Sequence, residues 1–321
     1  MDLGVLDPAN LMRQGLFVAA RNDQLRTVVE QAPISRDVVK RFVAGEANED
    51  VVKVTGELLN SGRLATIDFL GEDTLDIEMA RHTRDTYLEL ISQLSADDQA
   101  ANGRAEVSLK LSALGQALGE EGYQMSLDFA REICEAAQAA GTTVTLDMED
   151  HTTTDATLKA LRELRKTFPW VGAVIQSYLY RSEEDCRALA SEGSRVRLCK
   201  GAYKQPESVA YQDKAEVDKS YVRCLKVLME GDGYPMVATH DPRMVEIAGV
   251  LADRNGRDAD SFEYQMLLGI RPDEQVRLAN TGAKVRVYTP YGEEWYGYLV
   301  RRMAERPANM AFFLRALATK G

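Results

Sequence analysis

Residues 171–203 read VGAVIQSYLYRSEEDCRALASEGSRVRLCKGAY. Two short apolar, β-branched runs, VGAVIQSY (171–178) and RVRLCK (195–200), flank SEEDCRALASEG (182–193), a charged segment of helical period that ends in glycine. This is strand, helix, strand, with a left-handed glycine cap expected where the helix gives way to the next strand. The same alternation runs outward in both directions. Upstream lie LATIDFL (64–70), EVSLKL (106–111) and TVTLDM (143–148), and downstream MVATH (236–240), EYQMLL (263–268) and VRVYTP (285–290). Helical segments such as SLDFAREICEAAQAAG, TDATLKALRELRKTF, AEVDKSYVRCLKVLMEG and PRMVEIAGVLADRNG fill the gaps.

Eight strands, each followed by a helix, fit the size and count of an α/β (β/α)8 TIM-like barrel. The rival is an open doubly wound sheet, which would gather its polar residues at one switch point and carry a G-x-G-x-x-G turn after a strand. The chain has no such turn, and polar residues stand at the ends of nearly every run: Lys110, Asp147 with Glu149, Gln176, Arg197 with Lys200, Thr239 with His240, Gln265, and Tyr288. The barrel reading is therefore preferred, with residues 61–321 as the catalytic domain. Residues 1–60 read as an N-terminal helical arm, since no linker rich in Pro, Gly or Ser separates them.

Composition narrows the function classes. Lys and Arg number 39 against 50 Asp and Glu, a formal balance of −11 that opposes nucleic-acid binding and general adhesion to anionic lipid. Four separated cysteines without a C-x-x-C pair suit reduced thiols in a cytoplasmic setting. Neither a signal peptide nor a transmembrane run is expected; the amphipathic tail ANMAFFLRALATK could touch a membrane face or the barrel, and packing against the same chain is the preferred reading.

Each strand-end residue has a plain structural reading as well. Asp147 could cap the next helix, Lys200 could pair with an acid, and His240 in THDP could belong to a helix start. Together these are weaker, because barrel interiors are normally packed with Val, Ile and Leu and buried charges need partners. A metal site fits poorly, since the three histidines are scattered and only DMEDH sets one beside carboxylates. With no G-x-S-x-G, a Ser-His-Asp hydrolase fits no better. A Schiff-base aldolase on Lys200 stays open, as does a non-catalytic barrel binding a small anion.

Taken in order, SLKLSALG, LDMED, VIQSYLYR, RLCKGAY, ATHD, EYQMLLGIR, VYTPYG and YLVRRMAERPAN resemble the proline dehydrogenase family, over about residues 64–313. The resemblance implies a monofunctional flavoprotein that oxidises L-proline to 1-pyrroline-5-carboxylate by hydride transfer to FAD and passes the electrons to a quinone. The chain lacks the length of the bifunctional branch, so a separate pyrroline-5-carboxylate dehydrogenase would take the product. A soluble body visiting the inner face of the membrane, as a peripheral contact, would suit the quinone.

Position by position, the resemblance implies that Arg301 and Arg302 hold the proline carboxylate, a task suited to planar guanidinium forks. Lys110 is a further substrate-site cation, while Leu267, Tyr288 and Tyr298 wall the pyrrolidine ring. Asp147 is a buried acid beneath the flavin, linked to Lys110 and Tyr203, and it shares the catalytic role with Arg197 near the hydride-accepting nitrogen. Gln176, Lys200, Gly201, Ala202 and Tyr203 line the flavin, Met148 contributes backbone, and Thr239 and His240 meet phosphate and ribose. Glu305 pairs with Arg197 to form a gate.

This changes the reading of WYGYLVRRMAERPAN (295–309). On a helical wheel Tyr298, Arg301, Arg302 and Glu305 share one face, with Leu299, Val300, Met303 and Ala304 opposite. Alone, that pattern describes a surface helix. With the resemblance, the polar stripe is expected to face a cavity at the barrel mouth.

Overall fold

The computed structural model describes residues 39–71, 74–191 and 193–299. Eight parallel strands close into a barrel in sequence order: β1 (Leu64–Phe69), β2 (Ala105–Leu109), β3 (Val144–Leu146), β4 (Gly172–Gln176), β5 (Arg195–Cys199), β6 (Tyr234–Ala238), β7 (Glu263–Leu267) and β8 (Val285–Tyr291). β8 returns to β1 in the register Leu64↔Arg286 through Phe69↔Tyr291, so no sheet edge is left open. All eight expected strands are present.

Alternation along each strand explains the closure. Val107 and Leu109, Val144 and Leu146, Val196 and Leu198, and Val285 and Val287 are fully buried on the outward side beneath the helices. The residues between them face inward, and many are polar. Arg197 of β5, for example, reaches Thr66 of β1, Ser108 of β2 and Gln265 of β7, bonds that can only cross the barrel interior.

The ring of helices comprises α1 (Asn48–Asn60), α2 (Ile77–Ala96), α3 (Gly122–Ala139), α4 (Thr154–Arg165), α5 (Ser182–Ser191), α6 (Lys214–Glu230), α7 (Pro242–Arg254) and α8 (Pro272–Asn280). Asp76, Asp213 and Asp241 cap the N-termini of α2, α6 and α7, and Pro242 opens α7 where a missing N–H does no harm. Gly141 and Gly256 take the left-handed conformation expected after α3 and α7. Gly231 after α6 does not, with φ −83°. Its reason is space: a Cβ there would lie 2.8 Å from the Ala190 methyl.

Helix α1 belongs to the segment read from sequence as an arm, yet it packs against β1, β8 and α2. The Tyr291 hydroxyl donates to Asn48 Oδ1 at 2.7 Å, tying this helix to the end of β8. It thus rings the barrel between the last strand and the first. A second apolar cluster roofs the mouth: Phe42, Val43, Leu70, Ile270, Trp295, Tyr296, Tyr298 and Leu299. Residues 295–299 are helical. The remainder of the expected arm and of the final helix lies outside the described residues.

Candidate active site

A cavity of about 650 Å³ opens at the C-terminal ends of the strands, where enzymes of this architecture work. Strand by strand, the sequence-derived residues arrive there. Lys110 comes from the end of β2, Asp147 and Met148 from β3, Gln176 from β4, and Arg197 from β5. Lys200, Gly201, Ala202 and Tyr203 follow β5, Thr239 and His240 follow β6, and Leu267, Tyr288 and Tyr298 complete the wall. Arg301, Arg302 and Glu305 lie outside the described residues.

Arg197 is buried at the centre. Its Nη1 donates to Asp147 Oδ1 at 2.6 Å and Ser108 Oγ at 2.9 Å, its Nη2 to Thr66 Oγ1 at 3.2 Å, and its Nε to Gln265 Oε1 at 2.6 Å. Burial works against the guanidinium charge, but Asp147 and Glu106 outweigh it and hold Arg197 charged. Across the barrel, Tyr288 donates its hydroxyl to Asp147 Oδ2 at 2.8 Å. Burial first, then the charges of Asp147 and Asp68, push that phenol well above its ordinary range, so it stays a donor.

Around Asp147, Arg197 donates to one carboxylate oxygen and Tyr288 to the other, while Lys110 Nζ donates to Asp68 Oδ1 at 2.5 Å on the adjacent strand β1. Asp68 is the functional candidate that sequence reasoning missed. Its signal was available, as the one charged residue in LATIDFL, two positions after Thr66 and so on the same inward side. Burial raises its carboxyl above the ordinary range, Asp147 adds to this, and Lys110 opposes it.

The far end of the cavity carries three basic side chains, two of them held by acids. Lys200 Nζ pairs with Asp218 at 2.5 Å and Asp241 at 3.1 Å, and Arg243 pairs with the same two acids at 2.8 Å. Lys214 at the first turn of α6 also lines it. A lysine held in a double ion pair offers no lone pair to a carbonyl, which counts against the aldolase reading. Asp241 is the helix start that THDP suggested, and His240 instead accepts from the Leu267 amide through Nε2 at 2.9 Å. Among the described residues no cluster of His, Cys, Asp or Glu is placed to hold a metal.

Gln176 supplies a direct clue to a ligand. Its Nε2 donates to the Glu149 carbonyl at 2.7 Å, fixing the amide, and its buried Oε1 is left without a partner at the cavity wall. An acceptor stranded this way calls for a donor from a bound molecule. Behind it the loop is tightly built: at Gly201 (φ +114°) a Cβ would lie 2.6 Å from the Tyr178 ring.

A model of the family described as "Proline dehydrogenase" matches residues 51–315. The chain belongs to the proline dehydrogenase family. Among its curated relatives, Proline dehydrogenase 1 of Bacillus subtilis strain 168 is 38% identical over 309 residues, covering 96% of this chain and 100% of the relative. Proline dehydrogenase of Deinococcus radiodurans is also 38% identical, covering 96% and 98%. Of solved structures, proline utilization A from Bdellovibrio bacteriovorus, inactivated by N-propargylglycine, aligns with a TM-score of 0.81 and 25% identity over 93% of this chain. A Bradyrhizobium japonicum proline utilization A variant shares the fold at a TM-score of 0.71 and 22% identity. The family member described here spans 37% and 32% of those two longer chains.

Proposed function

We propose that the cavity binds FAD and L-proline and that the protein oxidises L-proline to 1-pyrroline-5-carboxylate. The observation that carries this reading is the convergence of the family's motif residues on one cavity around the Arg197, Asp147 and Tyr288 cluster. The stranded Gln176 Oε1 suits the single ring N–H of a flavin. Bound there, FAD would supply the hydride acceptor.

The chain's own residues then divide the work. Lys110 with Asp68, and Arg197 with Asp147, are already paired, so these four described residues sum to zero charge. A substrate carboxylate needs further cations, and Arg301 and Arg302 are the residues proposed to clamp it. They follow within three residues of Leu299, which is buried in the roof over the mouth. Leu267, Tyr288 and Tyr298 form the ring wall, placing the carbon beside the nitrogen for transfer. Arg197, kept charged and fixed by four acceptors, favours the negative charge that develops as the acceptor is reduced. Glu305 is proposed to close over Arg197. Lys200, Gly201, Ala202, Tyr203, Met148, Thr239 and His240 would cradle the rest of the cofactor, its phosphates toward the end lined by Lys200, Lys214 and Arg243.

Electrons would pass to a quinone and the product to a separate pyrroline-5-carboxylate dehydrogenase. No described helix is long and apolar enough to cross a membrane. Contact with the bilayer is proposed to be peripheral. The decisive experiment is an absorbance spectrum. Purified protein should be yellow and bleach on anaerobic addition of L-proline, and N-propargylglycine should inactivate it. Colourless protein, or a flavin spectrum indifferent to proline, refutes the reading.

A further inference from the structure

Beneath the mouth lies a second charged layer that the reaction as proposed does not use. Glu106, Arg195, Glu263 and Arg286 face one another inside the barrel, with Arg286 Nε donating to Glu263 Oε1 at 2.7 Å and Arg195 Nη2 to Glu106 Oε2 at 2.7 Å. Both glutamates are wholly buried. Between the two layers sits Gln265. Its Oε1 accepts from Arg197 Nε at 2.6 Å, and its Nε2 donates to Glu263 Oε1 at 2.5 Å.

The amide's orientation is forced. Arg197 Nε–H can only donate, and Glu263 turns toward the amide the Oε1 that already accepts from Arg286 Nε, so the oxygen must face upward and the nitrogen downward. Without the amide, a guanidinium and a carboxylate would stand one side chain apart in a dry interior, where opposite charges attract far more strongly than in water. Arg197 already feels that pull, with its Nη2 3.6 Å from Glu106 Oε1. We infer that Gln265 is a positioning residue, an insulating adapter that occupies Arg197 and Glu263 at once and so keeps Arg197 in the mouth rather than in the floor. The inference rests on Arg197 serving the flavin, as proposed above.

The flavin-loaded protein carrying Gln265→Met tests it, because methionine fills the space but bonds to neither neighbour. Arg197 should sink toward Glu263, lowering the midpoint potential of the bound flavin. Turnover with proline should fall about tenfold or more, with KM held within about threefold. Adding Glu263→Gln should restore part of both losses, since it removes the carboxylate that draws Arg197 down. Should Gln265→Met not fold, Gln265→Leu serves in its place: it too bonds to neither neighbour, and the potential should again fall.

A merely structural role would lower the melting temperature without moving the potential. An unchanged potential and turnover in the Gln265 variant overturns the inference, as does a loss that Glu263→Gln leaves untouched. Arg197→Met separates the two levels of argument. If it leaves the potential unchanged, the placement of Arg197 at the flavin fails; if it lowers the potential while the Gln265 variant does not, only the insulating role fails.

Discussion

The barrel carries two charged layers of equal net charge and opposite use. In the floor, Glu106 and Glu263 face Arg195 and Arg286; in the mouth, Asp68 and Asp147 face Lys110 and Arg197. Each set sums to zero. What differs is the surroundings: the floor acids are fully enclosed, whereas the mouth opens on the cavity and includes the stranded Gln176 Oε1. The same ion-pair chemistry is thus a structural plug at one end and a poised, ligand-accepting surface at the other. The proton affinities follow suit. Glu106 lies below the ordinary carboxylate range, because Arg195, Arg286 and Arg197 together overcome the effect of burial, while Asp68 is raised.

If that division is real, floor substitutions should strike stability and mouth substitutions should strike ligands. Glu106→Gln removes one of the floor's two acids and leaves the guanidinium groups of Arg195 and Arg286 short of a partner. It should cost about 3–5 kcal/mol in urea unfolding, with the KM for proline on the folded protein unchanged. A stability loss below about 1 kcal/mol would show that the floor is not a plug.

Arg301→Met is the counterpart. The neutral mouth cannot compensate a lost clamp, so the proline KM should rise by the equivalent of roughly 2–4 kcal/mol, with the unfolding free energy nearly unaltered. A KM near that of the native protein removes Arg301 from the clamp. A smaller effect is expected at Gln176→Leu. Flavin should be held up to about tenfold more weakly, as one neutral hydrogen bond is lost, and the spectrum of retained flavin under dialysis measures it. Undiminished retention would mean that the stranded oxygen does not meet the cofactor.

Much of this was legible in the sequence, and the limits were physical. Eight apolar runs gave the barrel, and the polar residues ending them gave the cavity wall, since inward and outward positions alternate with a period of two. The same period is written in EVSLKL, where Glu106, Ser108 and Lys110 alternate with Val107, Leu109 and Leu111. The floor escaped notice because its charges stand at the starts of the runs, first in three of them and second, as Arg286, in VRVYTP, where they resemble ordinary strand boundaries. That Arg197 and Tyr288 both donate to Asp147 was not legible from pattern, because it depends on which side chains from non-adjacent strands reach the same height, and strand spacing along the chain does not encode that. Nor does local pattern reveal that α1 packs between β8 and β1, because its apolar face would look the same on an arm.

The smallest expected effect concerns pH. A carboxyl whose folded value is raised, as at Asp68, stabilises the fold most below the ordinary value of 3.8, and that contribution is lost as pH rises through the raised value. Glu106 is the reverse: its contribution is present above the ordinary value of 4.5 and lost only as pH falls through its lowered one. Acid should therefore protonate Asp68 in the mouth, leaving that layer net positive, before it loosens the floor. Asp68→Asn removes a carboxylate to which Lys110 donates and makes the mouth one charge more positive, so an amine-free ring carboxylate such as cyclopentanecarboxylate should bind this variant about three- to tenfold more tightly than the native protein at neutral pH. The gap should close as pH falls through the Asp68 value, while the near-UV circular dichroism of the native barrel holds. Comparing the two proteins cancels the ligand's own titration. A gap that persists into the acid range, or closes only as the barrel's signal collapses, would mean that mouth and floor titrate as one layer.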